Sequence, residues 1–389
     1  MESFQQKDRE FVLNTYKRFP VEIVSGKGSR ITDVKGKEYI DLGSGIGVTA
    51  FGIGDAEWKK AVTDQLDRIQ HTSNLYYTKP CADLAEILCE RTGMKKVFFC
   101  NSGAEANECI IKAARRYGEK MHGKDCNLIV TLENSFHGRT ITTLAATGQD
   151  HYHEAFQPLT PGFLHVKAGD TKRIAEYLES GKVAGILMEC VQGEGGVVPL
   201  SPAFVLEAAE MCRRKDVLLM FDEVQTGNGR TGTLYAYQQF GVEADLVSTA
   251  KGLGGGLPLG AALFGRKTEN ILSFGEHGST FGGNPVCCAG AISVLKRMDE
   301  NFLSDVKRKS ALAFSLLEGA KGVKSVSGMG LMIGILPLKK KAQDVVNQAI
   351  EKGVLCLTAK DKIRLLPALN IPDEDLKEGI GILKDILAE

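Results

Sequence analysis

Residues 217–225 read Val217-Leu218-Leu219-Met220-Phe221-Asp222-Glu223-Val224-Gln225, the most apolar strand-like run of the chain, ending in two carboxylates. A run that is apolar at every position predicts a strand covered on both faces. Carboxylates at its carboxyl end lie where open α/β sheets place their ligands. Further on, Ser248-Thr249-Ala250-Lys251-Gly252-Leu253-Gly254-Gly255-Gly256 ends a second apolar run in a lone Lys among small residues. The interval of 29 residues (251 − 222) is about one βαβ repeat, so Asp222 and Lys251 are predicted at neighbouring strand ends. A Lys enclosed in this way loses its proton more easily and can form a Schiff base with a carbonyl. Read singly, Asp222 serves equally well as a turn cap, and Lys251 as a solvated Lys beside a flexible loop.

Working outward, Val97-Phe98-Phe99, Leu128-Ile129-Val130, Gly185-Ile186-Leu187-Met188 and Leu246-Val247 alternate with longer helix-like stretches. The predicted class is α/β, with a mostly parallel central sheet and helices on both faces across residues 51–284. Residues 1–50 predict a helix and then short antiparallel strands broken by Gly26, Gly28 and Lys35-Gly36-Lys37, contributing to a small domain and to a dimer contact. Residues 285–389 form the predicted C-terminal small α+β domain. It has two helical stretches, strands within 330–336 and 354–366, and a closing helix with Leu376, Ile380, Leu383 and Leu387 on one face and Pro372 in its first turn.

The composition narrows the functional classes. The 389 residues hold 48 Lys+Arg against 48 Asp+Glu. A neutral chain lacks the cationic surplus that nucleic acid or an anionic membrane requires, and no apolar run approaches the ~18 residues of a membrane span. Ten Cys without a C-x-x-C pair do not form a zinc or disulfide framework, so no metal site is expected. Residues 1–18 have no apolar core of a signal peptide, and the expected location is cytoplasmic. The 44 Gly exceed the usual ~7% and imply close backbone approach somewhere in the fold.

Two further clusters carry candidate chemistry. Asn101-Ser102-Gly103-Ala104-Glu105-Ala106-Asn107 follows a predicted strand and opens an amphipathic helix, with Ser102 at the N-cap and Glu105 completing a capping box. Such a helix start is an anion site, although an ordinary capped helix explains the same residues. In Ser135-Phe136-His137-Gly138-Arg139-Thr140, Phe136 can stack on a flat cofactor and Arg139 can hold a carboxylate bidentately. His151 and His153 have no matching ligand partners and read as surface residues. One cofactor needs all these parts at once. Pyridoxal phosphate requires a lysine, a carboxylate at the ring nitrogen, an aromatic over the ring and a phosphate cup, for which Lys251, Asp222, Phe136 and Ser102-Gly103-Ala104 are candidates.

Over nearly its whole length the chain resembles the class III aminotransferases of fold-type I pyridoxal-phosphate enzymes, and within them the acetylornithine aminotransferases. The likeness rests on His71-Thr72-Ser73-Asn74-Leu75-Tyr76-Tyr77-Thr78, the Asn101 and Phe136 motifs, Gln192-Gly193-Glu194-Gly195-Gly196, Asp222-Glu223-Val224-Gln225-Thr226-Gly227, Lys251-Gly252, Ser279-Thr280-Phe281-Gly282-Gly283-Asn284-Pro285 and Arg364-Leu365-Leu366-Pro367. It implies Lys251 as the catalytic Schiff-base lysine, Asp222 at the ring nitrogen, Gln225 at the phenolic oxygen beside Val224, Phe136 stacking, and Ser102, Gly103 and Ala104 around the phosphate. Thr280 would complete the phosphate site of the partner in a homodimer. Arg139, helped by Ser279, would take a substrate carboxylate; Arg364 would take the α-carboxylate of 2-oxoglutarate, with Glu194 as its gate.

The implied reaction moves the terminal amino group of N2-acetyl-L-ornithine to 2-oxoglutarate, a step of arginine biosynthesis; ornithine, succinylornithine and 4-aminobutyrate are alternative donors. The chain departs from the family pattern at Ile53-Gly54-Asp55, at Cys190 after Glu189, and at Ser327. A reading of a different class takes Gly227, Gly229 and Gly232 as the G-x-G-x-x-G of an NAD-dependent dehydrogenase. A non-catalytic scaffold on the same fold would be expected to have lost Lys251 or Asp222.

Overall fold

The computed structural model describes residues 4–389. Its centre is a seven-stranded sheet in the order Lys96–Cys100, Gly260–Phe264, Leu246–Thr249, Leu218–Asp222, Val183–Met188, Leu128–Leu132, Phe163–Val166. Leu218–Asp222 runs parallel to both its neighbours, and Asp222 pairs in register with Ser248. Gly260–Phe264 alone runs against the rest, antiparallel to both strands beside it.

Continuous apolar strands follow from two-sided burial. Leu219 and Phe221 belong to one core, together with Leu84 and Leu88 of helix Lys79–Thr92 and Phe204, Val205 and Ala208 of helix Pro202–Lys215. Leu218 and Met220 belong to the core on the other face, under Cys109, Ile110 and Ala113 of helix Gly103–His122. Alternate residues of one strand thus feed opposite helix layers, and no solvent-facing polar residue interrupts the run.

The antiparallel strand Gly260-Ala261-Ala262-Leu263-Phe264 and the edge strand Phe163–Val166 were not anticipated. Gly and Ala carry little strand signal, and here smallness is a packing requirement: a Cβ at Gly260 would lie 2.4 Å from the Ser102 carbonyl oxygen.

Two smaller four-stranded sheets flank the centre. Ile23–Lys27, Arg30–Asp33 and Glu38–Asp41 form antiparallel pairs, and Val354–Leu355 adds parallel to the last of them, so N- and C-terminal segments share a sheet. Val323–Met329, Met332–Pro337, Lys362–Leu365 and Leu357–Ala359 form the second sheet, against which helices Glu300–Leu317, Ala342–Glu351 and Asp373–Ala388 pack. In the last helix Leu376, Ile380, Leu383 and Leu387 are buried, and Pro372 sits one step outside the first turn as the N-cap. No helix among the described residues is long and apolar enough to cross a membrane.

Candidate active site

Asp222 ends the central strand 3% exposed, and its carboxylate accepts three hydrogen bonds from the protein while still bordering the cavity. Oδ2 accepts from Asn107 Nδ2 at 2.7 Å and from His137 Nδ1 at 2.8 Å; Oδ1 accepts from the Val224 amide at 3.0 Å. Because a carboxylate accepts at Nδ1, that nitrogen carries the His137 proton, and the buried Nε2 is left without a partner. Asn107 is fixed in turn: Ser248 Oγ donates to its Oδ1 at 2.6 Å, and its Nδ2 also donates to the His137 carbonyl.

Lys251 follows the neighbouring strand Leu246–Thr249, as the 29-residue interval predicts (251 − 222). Its φ of +46° lies in the left-handed region, strain of the kind that clusters at functional sites. Burial and the Arg364 charge depress the Lys251 ammonium below its ordinary 10.5, against the opposing pull of Glu194, Asp222 and Glu189.

The anion cup is the start of helix Gly103–His122. Ser102 Oγ accepts from the Glu105 amide at 3.2 Å. The expected capping box is only half formed: the Glu105 carboxylate turns to the Asn101 amide at 2.5 Å and to Asn101 Nδ2 at 3.0 Å instead of the Ser102 amide. The amides of Gly103 and Ala104 have no intrahelical acceptor and carry the positive helix end. Gly103 cannot be larger, since a Cβ there would meet Val224 Cγ1 at 2.6 Å.

Phe136 is partly buried, and its amide donates to Glu189 Oε2 at 3.0 Å. Glu189 Oε1 accepts from the Gly193 amide at 3.4 Å, so one carboxyl ties the Phe136 segment to the loop that carries Glu194. Burial, and then the Asp222 charge, raise Glu189 well above the usual carboxylate range. Arg139 is exposed, and its guanidinium lies 4.2 Å from the Tyr152 ring centroid and 5.6 Å from that of Phe136.

Arg364, on strand Lys362–Leu365, is 3% exposed. Its Nη1 donates to Glu194 Oε1 at 2.6 Å and to Gln225 Oε1 at 3.1 Å, while Nε is buried without an acceptor. Burial alone would push Glu194 up, but the Arg364 charge and hydrogen bond outweigh it, and the net shift is downward.

Lys251, Asp222, Phe136, Ser102, Gln225 and Glu189 border a cavity of about 470 Å³, together with Gly103, Ala104, Val224 and Arg139. Glu194 and Arg364 stand behind Gln225 rather than in its wall. Ser279 and Thr280 lie outside it, on a loop held by Asn74 Nδ2 to the Ser279 carbonyl at 2.9 Å. Asn101 Nδ2 reaches Ser279 Oγ at 3.2 Å, but within one chain Ser279 is not brought to Arg139; Thr280 is exposed.

Asn107 and His137 were within the quoted motifs without a role. Glu189 appeared only as the residue before Cys190, without a role, and Tyr152 gave no signal. His153 is not a free surface group: its Nε2 lies 2.9 Å from the Leu144 carbonyl and 2.7 Å from that of Thr147. No cluster of metal-ligating side chains occurs among the described residues.

The dehydrogenase reading fails on geometry. Cβ atoms at Gly227, Gly229 and Gly232 would meet Glu223 O, Leu369 Cδ1 and Lys307 Cγ at 2.6, 3.1 and 2.5 Å. The turn is filled by protein and runs into the short 3-10 segment Ala236–Phe240, so a pyrophosphate finds no α-helix N-terminus there.

The residues present fit pyridoxal phosphate: a lysine with a depressed ammonium, a carboxylate held by three donors, an anion cup that a Cβ would fill, and an aromatic ring converge on one cavity of suitable size.

Known proteins agree with this. The profile of the family "Aminotransferase class-III" matches residues 11–387. The acetylornithine aminotransferase of Haemophilus ducreyi is 46% identical across 100% of this chain and 99% of its own length. That of Methanocaldococcus jannaschii is 39% identical over 100% and 98%. Among solved structures, an ornithine aminotransferase from Toxoplasma gondii superposes with a TM-score of 0.94 at 31% identity, covering 99% of this chain and 94% of that one. The N-acetylornithine aminotransferase of Stenotrophomonas maltophilia gives 0.84 at 34% identity over 96% and 97%. The chain therefore belongs to the class III aminotransferases and is a pyridoxal-phosphate-dependent transaminase.

Proposed function

We propose that the enzyme moves the terminal amino group of N2-acetyl-L-ornithine to 2-oxoglutarate, giving N-acetyl-L-glutamate 5-semialdehyde and L-glutamate. The observation that carries this reading is a contrast: Glu194 neutralises Arg364 at 2.6 Å, whereas Arg139 makes no ion pair among the described residues. The reacting carbon of a terminal amine carries no carboxylate, so Arg364 needs a counter-charge in that half-reaction; 2-oxoglutarate brings a second carboxylate that displaces Glu194. The full-length likeness to acetylornithine aminotransferases supports the choice of donor.

When bound, pyridoxal phosphate supplies an aldehyde for amine capture and an electron-withdrawing ring. Ser102, Gly103 and Ala104 would hold its phosphate, Phe136 would cover its ring, Gln225 beside Val224 would bond its phenolic oxygen, and Asp222 would keep its ring nitrogen protonated. Asn107 and His137 hold that carboxylate in place. Lys251 Nζ would hold the aldehyde and, as a free amine, would serve as the base that takes the proton from the donor's reacting carbon and as the acid that returns one. Arg139 receives the carboxylate remote from the reaction.

The same reading includes a cytoplasmic homodimer. Tyr77, Phe281 and Leu75 are exposed beside the loop carrying Ser279 and Thr280, an apolar surface that a second copy would cover while delivering Thr280, and Ser279 toward Arg139, to its neighbour's cavity.

The test assays N2-acetyl-L-ornithine, N2-succinyl-L-ornithine, L-ornithine and 4-aminobutyrate with 2-oxoglutarate. The highest kcat/KM is expected for acetylornithine, and a higher value for any other donor overturns the assignment. The purified protein is expected to be yellow and to bleach with glutamate, and a fully active Lys251→Ala would refute the mechanism.

A further inference from the structure

Arg139 is unlike the other guanidinium of the site. Among the described residues it makes no ion pair, and its recorded neighbours are ring faces: Tyr152 at 4.2 Å and Phe136 at 5.6 Å from the guanidinium carbon. The two rings meet edge to face, 5.9 Å apart at 71°. A guanidinium over an aromatic face is attracted through the ring quadrupole, so none of its five N–H donors is consumed. An exposed Arg side chain otherwise loses rotamer freedom when a ligand fixes it.

The local fold delivers Tyr152 to this position. Arg139 immediately precedes Thr140, the N-cap of the short helix Ile141–Ala146. The chain then turns back, and Tyr152 closes the 3-10 turn Asp150–Tyr152. His153 Nε2 pins that turn to the Leu144 and Thr147 carbonyls at the end of the same helix, and the His151 ring packs 3.9 Å behind Tyr152. Arg139, which lines the cavity, and Tyr152, outside its lining, are thus the two ends of one closed unit.

We propose that Tyr152 is a positioning residue that holds the Arg139 guanidinium flat with all its donors free, and so sets the preference for substrates with a carboxylate remote from the reacting carbon. The inference rests on the reading that Arg139 receives that carboxylate.

The experiment compares N2-acetyl-L-ornithine with N-acetyl-1,4-diaminobutane, which has the same amine and acetamide but no carboxylate, in wild-type, Tyr152→Leu, Tyr152→Phe and Arg139→Ala holoenzyme. Tyr152→Leu is expected to raise KM for acetylornithine about three- to thirtyfold with kcat little changed, and to leave kcat/KM for the decarboxylated donor unaltered. Tyr152→Phe keeps the ring face and is expected to behave as wild type. Activity of Tyr152→Leu on the decarboxylated donor also reports that this variant folds. An equal loss on both donors, or a Tyr152→Phe as impaired as Tyr152→Leu, overturns the proposal. Arg139→Ala separates the two readings. If it does not discriminate between the donors, the assignment of Arg139 falls; if it does and Tyr152→Leu does not, only the role of Tyr152 falls.

Discussion

Arg364, behind the Gln225 wall of the cavity, and Arg139, in the wall itself, hold the same group in opposite environments. Arg364 is buried, and its charge is answered at 2.6 Å by Glu194. Arg139 is exposed, and among the described residues aromatic faces hold it. Water solvates Arg139 between substrates, so an empty site costs little. Arg364 has no such reservoir, and an unpaired charge there would cost several kcal/mol, so the fold supplies a removable carboxylate. The difference explains how one cavity serves two substrates: Arg139 binds what both share, and Arg364 answers to what only one of them carries.

The largest effect that would test this contrast is expected from Arg364→Leu. The variant loses a charge-assisted carboxylate contact made only by glutamate and 2-oxoglutarate, so the glutamate half-reaction should fall by about a thousandfold and the acetylornithine half-reaction by far less. Single-turnover bleaching by each amino donor reads the two separately. Equal losses would mean that Arg364 does not distinguish the substrates.

Glu194→Gln is the converse. It keeps the shape and removes the counter-charge, so the acetylornithine half-reaction should fall by about a hundredfold while the glutamate half-reaction stays within about threefold of wild type. A smaller effect, about tenfold on both amino donors alike, is expected for Arg139→Lys, which retains the charge but not the planar fork. If Arg139→Lys separated the donors as sharply as Glu194→Gln does, the comparison of the two arginines would collapse.

The sequence disclosed the parts of this arrangement whose cause is local. Asp222 and Lys251 were legible because a two-sided buried strand shows itself as an unbroken apolar run and its carboxyl end is where the chemistry belongs. Ser102 was legible as a cap, but the destination of the Glu105 carboxylate was not, since the Asn101 amide and side chain compete for it. The strand Gly260–Phe264 was hidden by the small residues that let it pass Ser102. Glu189 and Tyr152 were beyond reach for a different reason. Glu189 matters because Phe136 lies 53 residues away in sequence yet donates to it, and Tyr152 because a turn pinned by His153 brings it over Arg139. Arg364 and Glu194 entered only through family likeness, because nothing near either residue signals a partner 170 positions away.

The subtlest test reads the charges of the buried pair from a third group. Lys251 would take the cofactor aldehyde only as a free amine, so uptake of pyridoxal phosphate by cofactor-free protein should accelerate as pH rises through the Lys251 value, which burial and Arg364 hold below 10.5. Glu194 opposes that depression. Removing its charge in Glu194→Gln therefore leaves the ammonium less stabilised, and the limb moves to lower pH. Arg364→Leu removes a repelling cation and leaves Glu194 ionised, so the limb moves to higher pH. Arg139 is exposed and is not among the leading charges acting on Lys251, so its change to Leu should move the limb far less than either member of the pair. Opposite displacements from the two members of one ion pair, with the least from the second arginine, are an electrostatic signature that general loosening of the cavity cannot imitate. Displacement of both in the same direction would show that the pair acts on Lys251 through packing rather than charge.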